Sequence, residues 1–442
     1  MMKRLRTARA VQFASMSLSS VLFIDDYLSY LTTGHVIRPI TDQFRIPRVK
    51  LAFLIHSMGG PVVILGLVSS WVALITSQLD QAGISPQITA STKIISDPFF
   101  IYLGSIPFIF YSFLIITSTW YIVFKNISYG PMRKQEVIAH KTQNLFGGKP
   151  DLVLPHENTT NNGKMSYLIV PLLVLVTSFL LGTAYSGGYY LLGGNNSLFS
   201  AFKNNTQPFF VLFIAGLSTL ICSTIIAIRS KHANSGNLPY LFASGCKLMH
   251  SPVVMVLLAS ILGIILRNDL KIGVYLAHIV FSSIPVFLIP LIFFAVSFAV
   301  AFITGTSWGT IALMIPIATQ MLITLFSLTT PTQYTLIPLL FPVLGAIFSG
   351  ATAGDHLSPI SETTIMSSSS AGCYPVDHTY TQFFYAAPAL CATAFSFLIS
   401  GLLIYQSLTI NFFISLASGL VICLGLLTYL NQNRHGKKIT PC

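Results

Sequence analysis

Apolar runs long enough to cross a hydrocarbon core of about 30 Å recur along almost the whole chain. They lie near residues 11–33, 51–77, 98–124, 166–192, 207–228, 249–266, 276–304, 310–328, 333–352, 379–406 and 408–431. Charge is scarce between and within them. Only 8% of residues are charged against 53% hydrophobic, where a soluble domain carries roughly 25% charged residues. The pattern predicts an all-α, polytopic membrane protein with about 10–11 transmembrane helices.

The charges present are unbalanced, with 24 Lys+Arg against 12 Asp+Glu. Their placement argues against a nucleic-acid partner, because the basic residues fall in short gaps between apolar runs, as the positive-inside bias requires. The stretch 38–50 holds Arg38, Arg45, Arg48 and Lys50, and is assigned to the cytoplasm. Residues 78–97 carry one Lys and two Asp and are assigned outside, with Asp80 and Asp97 among them. The polar stretch 125–165, with Lys125, Arg133, Lys134, Lys141, Lys149 and Lys164, returns to the cytoplasm. The 193–206 loop has only Lys203 and lies outside, while Arg229, Lys231 and Lys247 mark the inside again. Ten crossings after residue 38 then bring the tail, with Arg434, Lys437 and Lys438, to the cytoplasm. Six cysteines (Cys222, Cys246, Cys373, Cys391, Cys423 and Cys442) show no CxxC spacing. They read as small buried hydrophobes rather than disulfides or zinc ligands.

The first run does not follow the charge rule, since Lys3, Arg4, Arg6 and Arg9 precede it and a basic loop follows it. Asp25 and Asp26 interrupt it, which argues against a cleavable signal peptide. It is a re-entrant hairpin, an exception to the rule, or a segment once preceded by more chain.

A charged side chain in a bilayer core costs at least about 2.5–3.5 kcal/mol, so its presence marks a functional place. Two stretches concentrate such residues. In FIDDYLSYLTTG, residues 23–34, the adjacent Asp25 and Asp26 lie about 100° apart on a helix. One is expected to face a site while the other meets a basic or backbone partner. In GATAGDHLSPISETTIMSSSSAG, residues 350–372, Ser358 followed by Pro359 reads as a helix start. That reading places Asp355 in non-helical chain and Glu362, Thr363 and Thr364 in the first turns. Broken helices that bring carboxylates, hydroxyls and freed carbonyls to membrane depth are how secondary transporters build cation sites. Quieter breaks occur at Gly305-Thr-Ser-Trp-Gly-Thr310, and at His56-Ser-Met-Gly-Gly-Pro61 followed by Ser69, Ser70 and Trp71.

Several of these stretches resemble signatures of the NhaC family of sodium/proton antiporters. They are Asp25-Asp26-Tyr27 with Thr33-Gly34, Arg38-Pro39, Asp42, Arg48 and Lys50-Leu51-Ala52; the GTSWGT stretch at 305–310; and GDHLSPISETTIMSS at 354–368 with Asp377-His378 and Thr381-Gln382. The resemblance implies an inverted-repeat secondary transporter with broken or re-entrant helices, membrane-buried acids that bind a cation or a proton, and no covalent chemistry. His56 stands where the family usually has Asp before Ser, and Glu362 where Asp is usual. Family members also carry about a hundred or more residues ahead of the Asp-Asp-Tyr stretch, which here begins at residue 25. GTSWGT lies 50 residues before Asp355, so its repeat counterpart is expected ahead of Met1. The organisation read from this is a first, apparently incomplete, transport repeat in 1–124, a cytoplasmic loop in 125–165, and a second membrane bundle in 166–442.

Sodium is a hard cation suited to carboxylate, hydroxyl and carbonyl oxygens. Exchange needs only competition between cation and proton for one carboxylate. The candidate ion-binding and proton-coupling residues are Asp26, Asp355 and Glu362, with Ser358, Ser361, Thr363 and Thr306 as oxygen ligands. Asp25, His356, Asp377, His378, Ser307 and His56 are supporting candidates. No cofactor and no metal beyond transported Na⁺ is implied. Membrane lipid, small cations and protons are the expected partners, a homo-oligomer is allowed, and the expected location is the plasma (inner) membrane. The rival reading within transport is an exchanger of a small organic acid or amino acid, hinted at by His56. A membrane metalloenzyme on the Asp355-His356 or Asp377-His378 pairs lacks any HExxH-like spacing. An inactive remnant is the third alternative.

Overall fold

The computed structural model describes residues 6–67, 69–152, 166–203, 208–230, 236–270, 275 and 284–432. The chain divides into two compact units, Met1–Leu154 with Leu258–Cys442, and Pro155–Leu257. In chain order the helices are α1 (Ala8–Val21), α2 (Asp26–Gln43), α3 (Arg48–Val63), α4 (Ser70–Gln81), α5 (Pro98–Ser105), α6 (Phe110–Phe124) and α7 (Gly130–Thr142). Next come α8 (Ser166–Ser186), α9 (Leu198–Lys203), α10 (Pro208–Arg229) and α11 (Leu238–Asn268). The last are α12 (Ile289–Thr304), α13 (Ser307–Leu325), α14 (Leu340–Leu357), α15 (Glu362–Ala371), α16 (Pro375–Leu402) and α17 (Leu408–Gln432). Three two-residue strands, β1 (Ile84–Ser85), β2 (Ile94–Ile95) and β3 (Thr332–Gln333), form one small parallel sheet with β2 at its centre.

Among the described residues, five helices are long and apolar enough to cross a membrane, or six if the pair bent by 46° at Ile109 counts as one span. Large apolar side chains stay exposed along them, Leu173 and Leu181 on α8 and Val421 on α17 among them. The chain is an all-α polytopic membrane protein. Several expected runs are divided rather than continuous: 11–33 becomes α1 and α2, and 51–77 becomes α3 and α4. The 276–304 run begins outside the described residues, as do Lys164, Lys231 and the basic tail.

The division of the first run is a reversal of the chain. On one straight helix Ser19 and Ser29 would stand about 15 Å apart, yet their hydroxyls are 2.6 Å apart. Helix α3 then runs alongside α1 in the same direction, with Ser19 Oγ donating to the Ile55 carbonyl at 3.3 Å and Ser20 Oγ to Met58 Sδ at 3.7 Å. At the tip of the α1–α2 hairpin, Phe23 packs on Gly66 in the gap after α3, and Ser70 N–H donates to the Ile24 carbonyl at 2.9 Å.

The later half repeats this arrangement. Helix α12 ends at Gly305, whose φ of 69° suits glycine, and α14 runs alongside α12 in the same direction. Gly350 and Gly354 let the two backbones meet: a Cβ on them would lie 2.5 Å from the Phe294 carbonyl oxygen and 2.4 Å from that of Phe298. Small residues spaced by four permit this approach in a membrane, where packing rather than water drives association. One turn further on, Ser358 Oγ donates to the Phe302 carbonyl at 2.8 Å, and Gly305 lies against the Ile360 backbone. Helix α13 packs back along α14, and the short connection through β3 leads to the start of α14.

Each half therefore sets a hairpin tip against the gap in an interrupted helix, α3–α4 in the first and α14–α15 in the second. The halves also exchange partners. Helix α2 lies beside α15, with Tyr27 Oη donating to Glu362 Oε2 at 2.8 Å and Arg38 Nη1 to the Ser370 carbonyl at 3.1 Å. Helix α4 lies beside α13, where Trp71 and Trp308 meet edge to face at 6.5 Å. Arg48, at the start of α3, pairs with Asp42 and donates to the Gly372 carbonyl just beyond α15. The α3–α4 segment thus leaves the end at which α14–α15 finishes and heads for the sheet, beside which α14 starts. The two segments cross in opposite senses, as inverted repeats do. Asp25-Asp26-Tyr27 occupies the position in the first half that Thr306-Ser307-Trp308 occupies in the second. The α1–α2 turn shares this geometry with GTSWGT and almost no residue types.

The end carrying Arg48 is clamped by the chain after α6. Buried Lys50 pairs with Glu136 on α7, which also accepts from Ser128. Lys149 pairs with Asp377 at 2.7 Å. In the smaller unit, α8 and α10 form an antiparallel pair through Ser178 and Ser218, 3.1 Å apart, and through Gly182 against Val211.

Candidate ion site

The gap between α14 and α15 starts at a proline. A residue before proline is pushed out of the helical region, and Ser358, before Pro359, has ψ 131°. Ser358 thus ends α14, and Asp355 lies in that helix's last turn instead of in non-helical chain. The new helix is capped by Ser361, whose hydroxyl accepts from Thr363 N–H at 3.1 Å and Thr364 N–H at 3.4 Å. Those are the orphan donors an N-cap serves.

Cap and carboxylate converge. Ser361 Oγ donates to Asp355 Oδ1 at 2.6 Å, Thr363 Oγ1 donates to Asp355 Oδ2 at 2.9 Å, and the two hydroxyl oxygens are 2.7 Å apart. All three residues are buried. Ser307, at the α13 start, lies beside the same carboxylate.

Behind this triangle sits a layer of imidazoles. His56 Nε2 is 3.0 Å from Thr363 Oγ1, and its Nδ1 is 3.1 Å from His378 Nε2 and 3.0 Å from Gln382 Nε2. His378 Nε2 also lies 3.2 Å from Ser367 Oγ. His356 packs edge-on to His56 with ring centroids 4.5 Å apart, and its Nδ1 is 2.7 Å from the Tyr111 hydroxyl. The three histidines are buried.

Asp26 is the acid of the other half. Asp25 caps α2, accepting from Leu28 N–H at 2.9 Å, which turns Asp26 inward. Asp26 is 1% exposed, and its Oδ1 completes no hydrogen bond; nor does the Trp71 indole N–H turned toward it. The Ser69 and Ser70 hydroxyls, at the start of α4, are likewise buried without a partner. Tyr30, which accepts from Gly60 N–H at 2.6 Å, closes this side, and Asp26 lies within electrostatic range of Asp355.

Other candidates are placed elsewhere. Ser358 spends its hydroxyl on Phe302, and Thr306 caps α13 by accepting from Gly309 N–H at 3.2 Å. Glu362 is half-buried at the first position of α15, held by Tyr27 and outside the Asp355 triangle. Asp377 belongs to the ion pair with Lys149. Tyr111 joins the cluster without a sequence signal, since it lies in an apolar run, while Ser57, in the break that begins at His56, lies 3.4 Å from His356 Nε2. Among the described residues, no group of three or more His, Cys, Asp or Glu is arranged to hold a metal ion.

Comparison with known proteins places this architecture. The model of the Na⁺/H⁺ antiporter family matches residues 62–402. An uncharacterized protein of Haemophilus influenzae is 32% identical over 401 residues, covering 90% of this chain and 72% of that protein. No solved structure matches. The matched family is one of transporters rather than enzymes, and the match agrees with the NhaC resemblance of the motifs; the chain belongs to the Na⁺/H⁺ antiporter family.

Proposed function

We propose that this protein exchanges sodium ions for protons across the plasma (inner) membrane, with Asp355 holding either one alternately and Asp26 acting as the second acid. The observation that carries this reading is a proton count. Asp355, Ser361 and Thr363 make three mutual contacts of 2.6–2.9 Å. Two hydroxyls supply only two protons, and an ionised carboxylate supplies none. One contact is left with oxygen facing oxygen. Adding one positive charge removes that conflict, and either a proton or a hard cation supplies it. The two then compete for one place, which is the requirement for exchange. Asp26, buried beside the Trp71 indole, offers a second acid in the other half.

His56 supports a second reading, exchange of a small organic acid, because it brings an imidazole rather than an acid to the triangle. One experiment separates the two. Inverted vesicles carrying the protein are given a pH gradient, and dequenching of a pH-sensitive dye is followed as Na⁺, Li⁺, K⁺ and organic acids are added in turn. Dequenching by Na⁺ or Li⁺ alone supports the proposal. A response to an organic acid without sodium supports the second reading, and no response to any addition refutes both.

A further inference from the structure

The partners of His56 fix which of its nitrogens carries hydrogen. The Gln382 side-chain nitrogen touches both the His356 backbone carbonyl and His56 Nδ1. A carbonyl only accepts, so the group facing it is the NH₂ and not the amide oxygen. The second proton of that NH₂ then points at His56 Nδ1, which must accept it. His378 reaches the same atom through Nε2, and Ser367, its other neighbour, donates to the Thr364 carbonyl at 3.1 Å. The single lone pair of His56 Nδ1 is taken by the Gln382 NH₂, and the His378 Nε2–H is left to the Ser367 oxygen, 3.2 Å away. With Nδ1 an acceptor, the neutral imidazole carries its hydrogen on Nε2 and donates to Thr363 Oγ1 at 3.0 Å.

We propose that Gln382 and His56 are positioning residues for the ion site: a one-way relay, Gln382 to His56 to Thr363, that fixes the Thr363 hydroxyl proton on Asp355. In the opposite tautomer His56 Nε2 would accept, and the same hydroxyl could turn from the carboxylate to the ring. Asp355 would then lose the Thr363 hydroxyl as a fixed donor. Neither residue needs to touch the cation. The relay rests on the reading of Asp355 as the ion site only for its effect on transport; the tautomer itself does not depend on that reading.

Two measurements test it, and they fail separately. Solid-state NMR on full-length, ¹⁵N-histidine-labelled protein in lipid reports the tautomer directly, with His56→Leu identifying the resonance. Expected are a protonated Nε2 and an unprotonated Nδ1 at neutral pH, and the reversed pattern in Gln382→Glu, whose carboxylate accepts. The opposite tautomer in the unsubstituted protein overturns the relay whatever the protein transports. In sodium-driven exchange, His56→Leu should raise the half-saturating sodium concentration about five- to tenfold, the worth of one oriented hydrogen bond. The maximal rate should change less. His56→Gln places an amide nitrogen near the position of Nε2 and should recover most of that loss, whereas His56→Asn is too short to reach Thr363 and should not. Equal behaviour of the Gln and Asn variants overturns the positioning role even if the tautomer is as assigned.

Discussion

The Tyr27 hydroxyl donates to Glu362 Oε2 at 2.8 Å and so joins the start of α2 to the start of α15 across 335 positions of sequence. Its counterpart under exchange of the two halves is the contact of Trp308 with Trp71. One pairing is polar and the other aromatic, yet both hold the first turn of a hairpin's return helix against the first turn of an interrupted helix. That places Glu362 in a structural tie between repeats. A double-mutant cycle on Tyr27→Phe and Glu362→Gln, read by thermal unfolding in detergent, should give a coupling of about 1 kcal/mol, a partly exposed hydrogen bond to a charged group. Glu362→Asp, one methylene shorter, should behave like Tyr27→Phe. A coupling near zero would mean that the two helix starts are held by packing alone.

Backbone contact between α12 and α14 sets where the second gap lies, and it depends on glycine. Gly354→Ala puts a methyl 2.4 Å from the Phe298 carbonyl oxygen, and should destabilise the protein by about 1–3 kcal/mol, the usual range for overpacking. Gly425→Ala, on α17 with nothing within 4 Å, is the control and should be neutral or slightly stabilising. Equal melting temperatures for the two variants would show that α12 and α14 can separate without cost.

The parts of this fold that the sequence discloses are those with a short-range signature. Hydropathy discloses the membrane class because solvation acts on each segment separately. Asp25 with Asp26 and the Ser361–Thr363 stretch stand out because acids and hydroxyls are rare among apolar runs. The start of α15 is misread because Ser358-Pro359 satisfies the rule for a helix start, while the same proline ends α14 by restricting Ser358. The α1–α2 turn escapes notice as a match to GTSWGT because the two tips share a backbone path and not a composition. Gln382 stands in a recognisable motif, but its partners, like those of Tyr111 on α6, are set only by long-range packing.

Orientation follows from the clamp on the Arg48 end. Lys141 on α7 and Gln87 in the β1–β2 connection are both exposed; α7 is tied through Glu136 to Lys50, whereas the sheet lies toward the other end of the α3–α4 segment. With the basic loops inside, a thiol introduced at Lys141 should be protected from a membrane-impermeant reagent in whole cells. One at Gln87 should react. Labelling at Lys141 alone would invert the topology, and labelling at both would refute the assignment of the two segments to opposite faces.

The acids give the sharpest contrast. In Asp355→Asn the new NH₂ brings protons to the Ser361–Thr363 triangle, so all three contacts can be bridged with no added charge. The variant should fold as well as the parent and lose exchange. Asp26→Asn removes the buried carboxylate of the first half and should also cripple transport. Asp25→Asn should not, because Asn caps a helix as well as Asp does. Asp80 is exposed at the end of α4, and Asp80→Asn should leave the rate within about twofold of the parent's, as surface changes rarely propagate. The four variants, matched for expression, are compared by exchange rate against pH. If sodium-dependent exchange survives Asp355→Asn with its pH profile unchanged, the coupled charge is carried elsewhere, and Asp26 becomes the residue to which the proton count must be applied.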